Sequence, residues 1–173
     1  MAEAFTLRLL TPADLPDYKQ LRDEMLALHA DAFTSDASEE RLKSADSHAS
    51  RLGTTEASFG SFTLGAWAAK RLVGVITLQR EARRKASHVG LLSGMMVRPE
   101  VQAQGIGRAL LAACIAACRE TAGLERLTLS VTSSNGAAVA LYRQAGFTRY
   151  GTLEQAIKLD NRYFDKDLMV LAL

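Results

Sequence analysis

Val97-Arg98-Pro99-Glu100-Val101-Gln102-Ala103-Gln104-Gly105-Ile106-Gly107-Arg108-Ala109-Leu110-Leu111 is the stretch on which the reading of the chain turns. A strand ends at Val97, Pro99 cannot continue a ladder, and a glycine-containing turn runs straight into a helix. The first turn of a helix offers four backbone N–H groups without intrahelical partners, and its dipole places about half a positive charge there. Gly105 and Gly107 lack Cβ atoms, so a phosphate can approach their backbone closely, and Arg108 adds a full charge at the mouth. These residues predict a diphosphate-type anion site over Gln104 to Ala109.

Working outward, Val89 to Val97 reads as the strand that delivers this turn, and Gly105 to Ala122 as the helix behind it, closed by Gly123. If that strand is regular, Leu91, Ser93, Met95 and Val97 share one face. Upstream, Phe5, Leu7 and Leu9 alternate with Thr6, Arg8 and Leu10 as a first strand. Thr11-Pro12-Ala13-Asp14 starts a helix to about His29, with Leu15, Tyr18, Leu21, Met25 and Leu28 on its apolar stripe. A more polar helix is expected from Ser38 to Leu52, stopped by Gly53, then a loop over Thr54 to Gly60. Phe62 to Ala68 and Leu72 to Leu78 form a hairpin turned at Lys70-Arg71. Arg80 to Lys85, with four positive charges and one negative, reads as a solvated loop or as a contact to an acidic group. Downstream come a strand through Leu127, Leu129 and Val131, a short helix from Asn135 to Ala145 closed by Gly146, and two extended segments, Phe147 to Leu153 and Tyr163 to Leu173. The order predicts a mixed sheet covered by helices, in one domain spanning residues 1–173.

Composition bounds the rest. Apolar residues make up 48% of the 173, and Lys+Arg of 21 against Asp+Glu of 19 leaves +2. That excludes a disordered chain and supplies no global field toward nucleic acid or anionic lipid, so neither is an expected partner. The longest apolar run, Ala109 to Cys118, is far short of the roughly 20 residues that cross a bilayer. Met1 to Phe5 has no secretory character, and Cys114 and Cys118 cannot form a disulfide framework, so a soluble, cytoplasmic protein is expected. Both cysteines read as small buried residues, and His29, His48 and His88 lack metal-ligand spacing, so no metal is expected.

Several anion-binding loops compete for the glycine turn. A Walker A string is absent, and a dinucleotide fingerprint would need a third glycine where Leu110 stands. A glycine turn with no ligand remains open, as does, more remotely, a nucleotide-binding oxidoreductase. What fits is Gln102-Ala103-Gln104-Gly105-Ile106-Gly107, preceded by Val97-x-Pro99 and followed by Arg108-Ala109-Leu110-Leu111. A second pattern follows in order, Asn135-x-x-Ala138-x-x-Leu141-Tyr142-x-x-x-Gly146-Phe147. Together they resemble the acetyl-CoA-binding and downstream motifs of the GNAT superfamily of N-acetyltransferases, and the ending Tyr163 to Met169 is similar to its C-termini.

The resemblance implies an α/β (α+β) GNAT fold: a mixed, mostly antiparallel, splayed sheet of six to seven strands flanked by about four helices. It implies transfer of acetyl from acetyl-CoA to a primary amine of a small molecule or peptide, by direct attack. In such a site the pyrophosphate sits on the backbone of Gln104, Gly105, Ile106, Gly107, Arg108 and Ala109, with Gln102 supporting the turn. The pantetheine pairs with Met95, Met96 and Val97, and the Val97 N–H donates to the thioester carbonyl. Tyr142 corresponds to the family's thiolate-protonating tyrosine, against the alternative of a core aromatic. Asn135 is either the helix N-cap or a pantetheine contact. The strand carboxylate that serves many relatives as base is missing; Ser93, His88, Glu154 and a water relay are the candidates. That gap leaves a non-catalytic acyl-CoA sensor as the rival reading. A homodimer is compatible with the resemblance, but no residue settles it.

Overall fold

The computed structural model describes residues 4–53 and 60–173. The loop expected over Thr54 to Gly60 therefore lies, but for Gly60, outside the described residues.

Strands β1 (Phe5–Leu9), β2 (Phe62–Ala68), β3 (Arg71–Arg80), β4 (Val89–Val97), β5 (Arg126–Thr132), β6 (Thr148–Leu159) and β7 (Arg162–Ala172) form one sheet in the order β1-β2-β3-β4-β5-β7-β6. All neighbours are antiparallel except β4 and β5. The β2–β3 turn lies at Ala69 and Lys70, one residue earlier than expected, both with positive φ as the twist of a two-residue hairpin demands.

The sheet separates two cores. Helix α1 (Leu15–Leu28) packs Leu15, Tyr18, Leu21 and Met25 on one face, against Val75 and Met96. Helix α3 (Ile106–Arg119) buries Leu110, Leu111, Cys114 and Cys118 on the other, against Ile76 and Leu78. Val75 and Ile76 are consecutive on β3, so its near-continuous apolar run serves both layers. Helix α4 (Gly136–Gln144) lies on the α3 side. As expected, both cysteines are fully buried. The Cys118 thiol and the burial together push the Cys114 thiol up, which removes it as a nucleophile.

The helical segments depart from the sequence expectations in three places, and β6 runs on to Leu159 past the expected Leu153. Leu28 is 61% exposed, because α1 ends beside it at the His29 cap. The single polar helix over Ser38 to Leu52 is broken: α2 spans only Ala37–Arg41, capped by Asp36, and a 3-10 segment covers Ala45–Leu52. The break buries Glu40 against Arg22 of α1, which a straight helix following the polar pattern would not do. Finally, α3 stops at Arg119 rather than Ala122, while Ile106 rather than Gly105 is its first residue.

The feature that shapes the site is where the sheet comes apart. β4 and β5 pair only over Val89–Leu91 with Arg126–Thr128, after which β5 follows β7 and leaves the end of β4 unpaired on that side. Gly94 sits in the left-handed region (φ +58°), and the β3–β4 register slips there between Val75 and Thr77. The slip inverts the side-chain alternation. Ser93 pairs across from Thr77 on the α1 side, but Met96 pairs across from Val75 on that same side, and Val97 packs with the α3 core. The expectation that Ser93, Met95 and Val97 share one face is thereby overturned.

Candidate active site

The opened edge is built by backbone. Arg98 N–H donates to Val73 O at 2.8 Å, so strand alternation turns the Val97 N–H away from β3, into the gap. The Val97 carbonyl faces the same way and accepts from Gln102 Nε2 at 3.0 Å, which ties the turn to the strand end. Ala103 (φ 61°) and Gly105 (φ 84°) both take the left-handed conformation, folding Gln102 to Gly105 into a tight loop before α3. The first intrahelical bond of α3 runs from Ala109 N–H to Gly105 O at 2.9 Å. Gly105, Ile106, Gly107 and Arg108 therefore hold the orphan amides, and the Ala109 N–H, expected among them, is engaged in the helix. A Cβ on Gly107 would stand 3.2 Å from Met95 Cε and 3.7 Å from Leu141 Cδ2, so its absence keeps the helix mouth open toward the strand edge. Gln104 reaches back to Glu100 O, and exposed Arg108 donates to Gln144 Oε1 at 2.8 Å, linking α3 to α4.

These elements line a cleft of about 640 Å³, with Met95, Val97, Gln102, Gly107, Asn135 and Tyr142 among its walls. Asn135 caps α4, its Oδ1 accepting from Ala138 N–H at 3.2 Å. Two turns later Tyr142 is buried, its ring edge-on to Phe147, its hydroxyl donating to Met95 Sδ at 3.4 Å. Burial pushes its phenol up to about 12, so it carries a proton throughout the neutral range.

A second cavity of about 260 Å³ meets the cleft at Met95 and Tyr142, and extends along β4 and β5 to Lys166. The chain between α1 and α2 roofs it: Thr132 donates to Asp31 O at 2.7 Å, Lys166 Nζ to Thr34 Oγ1 at 2.8 Å, and Arg22 Nη2 to Ser35 Oγ at 3.0 Å. Ser93 lines this cavity and donates to Gln79 Oε1 at 3.0 Å. His88 and Glu154, weighed as bases, line neither space: His88 sits at the paired end of β4, its carbonyl accepting from Glu125 and Arg126, and Glu154 is exposed on β6.

Sequence reasoning missed Arg22, Arg51 and Lys166, the cationic wall of the smaller cavity. Arg22 had left a trace, a charged residue beside the buried stripe of α1 between Leu21 and Met25. Arg51 and Lys166 had left none, since each reaches the cavity only through the fold. Among the described residues no group of three His, Cys, Asp or Glu side chains can hold a metal ion. No helix among them is long and apolar enough to cross a membrane.

Comparison with known proteins agrees with this geometry. Residues 22–147 match the family model described as Acetyltransferase (GNAT) family. The chain is similar to the mycothiol acetyltransferase of Salinispora arenicola, 35% identical over 150 residues that cover 87% of this chain and 47% of that protein. It is also similar to the aminoglycoside N(6')-acetyltransferase type 1 of Stenotrophomonas maltophilia, 35% identical over 151 residues covering 85% and 88%. The chain thus spans about half the length of the mycothiol acetyltransferases it matches, and most of the aminoglycoside enzyme. In fold it superposes on a putative acetyltransferase from Salmonella typhimurium, solved with its cofactor acetyl-CoA (TM-score 0.84, 22% identity, 98% and 94% covered).

Proposed function

Because the chain belongs to the acetyltransferase (GNAT) family, we propose that it transfers the acetyl group of acetyl-CoA to a primary amine by direct attack. One observation carries the reading. The unpaired end of β4, Ile106 and Gly107 from the first turn of α3, and the protonated Tyr142 all line one cleft. A pyrophosphate fits the Gly105 to Arg108 amides, and an extended amide-bearing arm fits the free edge of Met95 to Val97 as an added strand. When bound, acetyl-CoA supplies an activated acetyl thioester.

The chain's own residues do the rest. The Val97 N–H, aimed into the gap, donates to the acyl carbonyl oxygen, where negative charge builds during attack; a preorganised donor of this kind is worth about 3–4 kcal/mol. Tyr142 gives its proton to the leaving sulfur, and its place against Met95 puts it beside the same strand edge. The amine enters through the smaller cavity, where Ser93 Oγ can accept a hydrogen bond from it directly or through water, and the proton that the nitrogen loses on attack passes to water. Cys114 and Cys118 line neither space, so no acyl-cysteine is formed.

Calorimetric titration of CoA into the protein, with thiol release measured over a panel of amines, tests this. Heat of binding and amine-dependent thiol release are expected; a titration without heat overturns the reading. The described lining of the smaller cavity contains no Asp or Glu, which favours a second reading, a module that binds acyl-CoA without turnover. CoA binding without thiol release for any amine would select it.

A further inference from the structure

We propose that the acceptor carries a carboxylate or comparable oxyanion beside its amine, held by Arg51 and Lys166 in the smaller cavity; this rests on the acetyl-transfer reading above.

Three cationic side chains line that cavity, Arg22, Arg51 and Lys166, and none of its described lining residues is acidic. Arg22 is compensated within the fold: its Nε donates to the buried Glu40 carboxylate at 2.6 Å. Arg51 and Lys166 differ. Among the described residues neither has a carboxylate within ion-pair distance. Lys166 Nζ donates to the neutral hydroxyl of Thr34, which leaves two of its three protons without an acceptor among the described residues. Half-buried without an anion, its ammonium is held below the ordinary lysine range by desolvation. The half-buried Arg51 overhangs the bulge of β4, with Nη1 3.8 Å from where a Cβ on Gly94 would stand, one residue from Met95.

The cavity thus places two cations that no described carboxylate compensates next to the strand edge where acetyl is presented. A planar guanidinium matches a carboxylate in two parallel hydrogen bonds, and a lysine beside it adds a point charge. An anionic group on the acceptor supplies what the fold withholds. A polycationic amine would add like charges to a confined space and is disfavoured. The same field disfavours the ammonium form of the acceptor's amine, which helps present a free amine where no carboxylate base lines the cavity. A volume of about 260 Å³ suits an amino-acid-sized molecule.

The test uses the whole chain with saturating acetyl-CoA and follows thiol release with matched pairs: L-leucine against L-leucinamide, and O-phosphoethanolamine against ethanolamine, with spermidine and an aminoglycoside alongside. We expect kcat/KM for the anionic member of at least one pair to exceed its neutral partner by about tenfold or more. Arg51→Gln and Lys166→Gln should each raise that acceptor's KM by about tenfold, and the double variant should lose the preference. Thermal midpoint and CoA affinity should hold in all three. Faster transfer to the neutral members or to the polycations overturns the anionic acceptor while leaving acetyl transfer standing. A preference that survives the double variant overturns the assignment to Arg51 and Lys166. Bound CoA with no thiol release for any amine overturns acetyl transfer and the acceptor class together.

Discussion

The two spaces that meet at Met95 and Tyr142 are made of different material. The larger cleft takes one side from backbone features: an unpaired strand edge, the first turn of α3 at Ile106 and Gly107, and the missing Cβ of Gly107. The smaller cavity is walled by long side chains from α1, the 3-10 segment before Gly53, and β7, held by a roof of hydrogen bonds. Backbone surfaces recognise what every copy of a cosubstrate shares, a diphosphate and an amide-bearing arm. Side-chain surfaces recognise what varies. The proposed division between a constant donor and a particular acceptor matches the construction of the two walls.

Removing Glu40 should damage one wall and spare the other, with the largest effect. Its carboxylate holds Arg22 and Lys43 from a buried position. Glu40→Gln leaves the Arg22 guanidinium buried and unpaired, a loss of about 3–5 kcal/mol on chemical unfolding. Acceptor KM should rise, while CoA affinity per folded molecule stays within about twofold. Burial alone would raise this carboxyl, but hydrogen bonds from Lys43 and Arg22 outweigh it and hold it at about 2. Its contribution is present above the ordinary value of 4.5 and disappears as pH falls toward 2. The wild type should lose stability over that window, and Glu40→Gln should show a flatter acid profile. Gly107→Leu reverses the selectivity. It fills the mouth between α3, Met95 and Leu141, so CoA affinity should drop at least about 100-fold, or roughly 2.7 kcal/mol, by calorimetry.

The same division explains what could be read without coordinates. The strand–turn–helix at Val97 to Leu111 is contiguous, so local rules reach it: proline ends a ladder, glycine takes φ > 0, helix N-termini bind anions. The seven strands were likewise legible along the chain from alternation; their order in the sheet, with β7 between β5 and β6, was not. Two further kinds of feature were not. Alternation assumes an unbroken strand; Gly94 marks an interruption in the sequence, but not that the register slips there and puts Ser93 and Val97 on opposite faces. The cationic wall of the smaller cavity is assembled from residues 22, 51 and 166, which only the fold brings together.

Tyr142 stands where the two spaces join, and its removal should touch turnover alone. Tyr142→Phe keeps the ring against Phe147 but deletes the proton donor. A fall in kcat of about 100-fold is expected, with CoA affinity nearly unchanged. Because burial holds the phenol near 12, the wild-type kcat at saturating acceptor, which titration of Lys166 does not reach, should not decline between pH 8 and 10, where an ordinary tyrosine begins to titrate. A wild-type rate that falls through pH 9, or a Phe variant of full rate, removes Tyr142 from the acid role.

The smallest effect concerns Asn135, which touches the cleft with a side chain rather than with backbone. Its Oδ1 is already engaged by Ala138 N–H, and the residue is exposed. An N-cap of this kind is worth about 1 kcal/mol, so Asn135→Ala should lower stability by that amount. Asn135→Asp retains the acceptor oxygen and adds a charge that suits a helix N-terminus, so it should restore stability in full. If the cleft is a backbone surface, CoA affinity should follow stability, unchanged in Asp. An aspartate variant that folds as well as wild type yet binds CoA several-fold more weakly would mean that the Asn135 amide group itself donates to the pantetheine arm, and that side chains contribute to the wall that faces it.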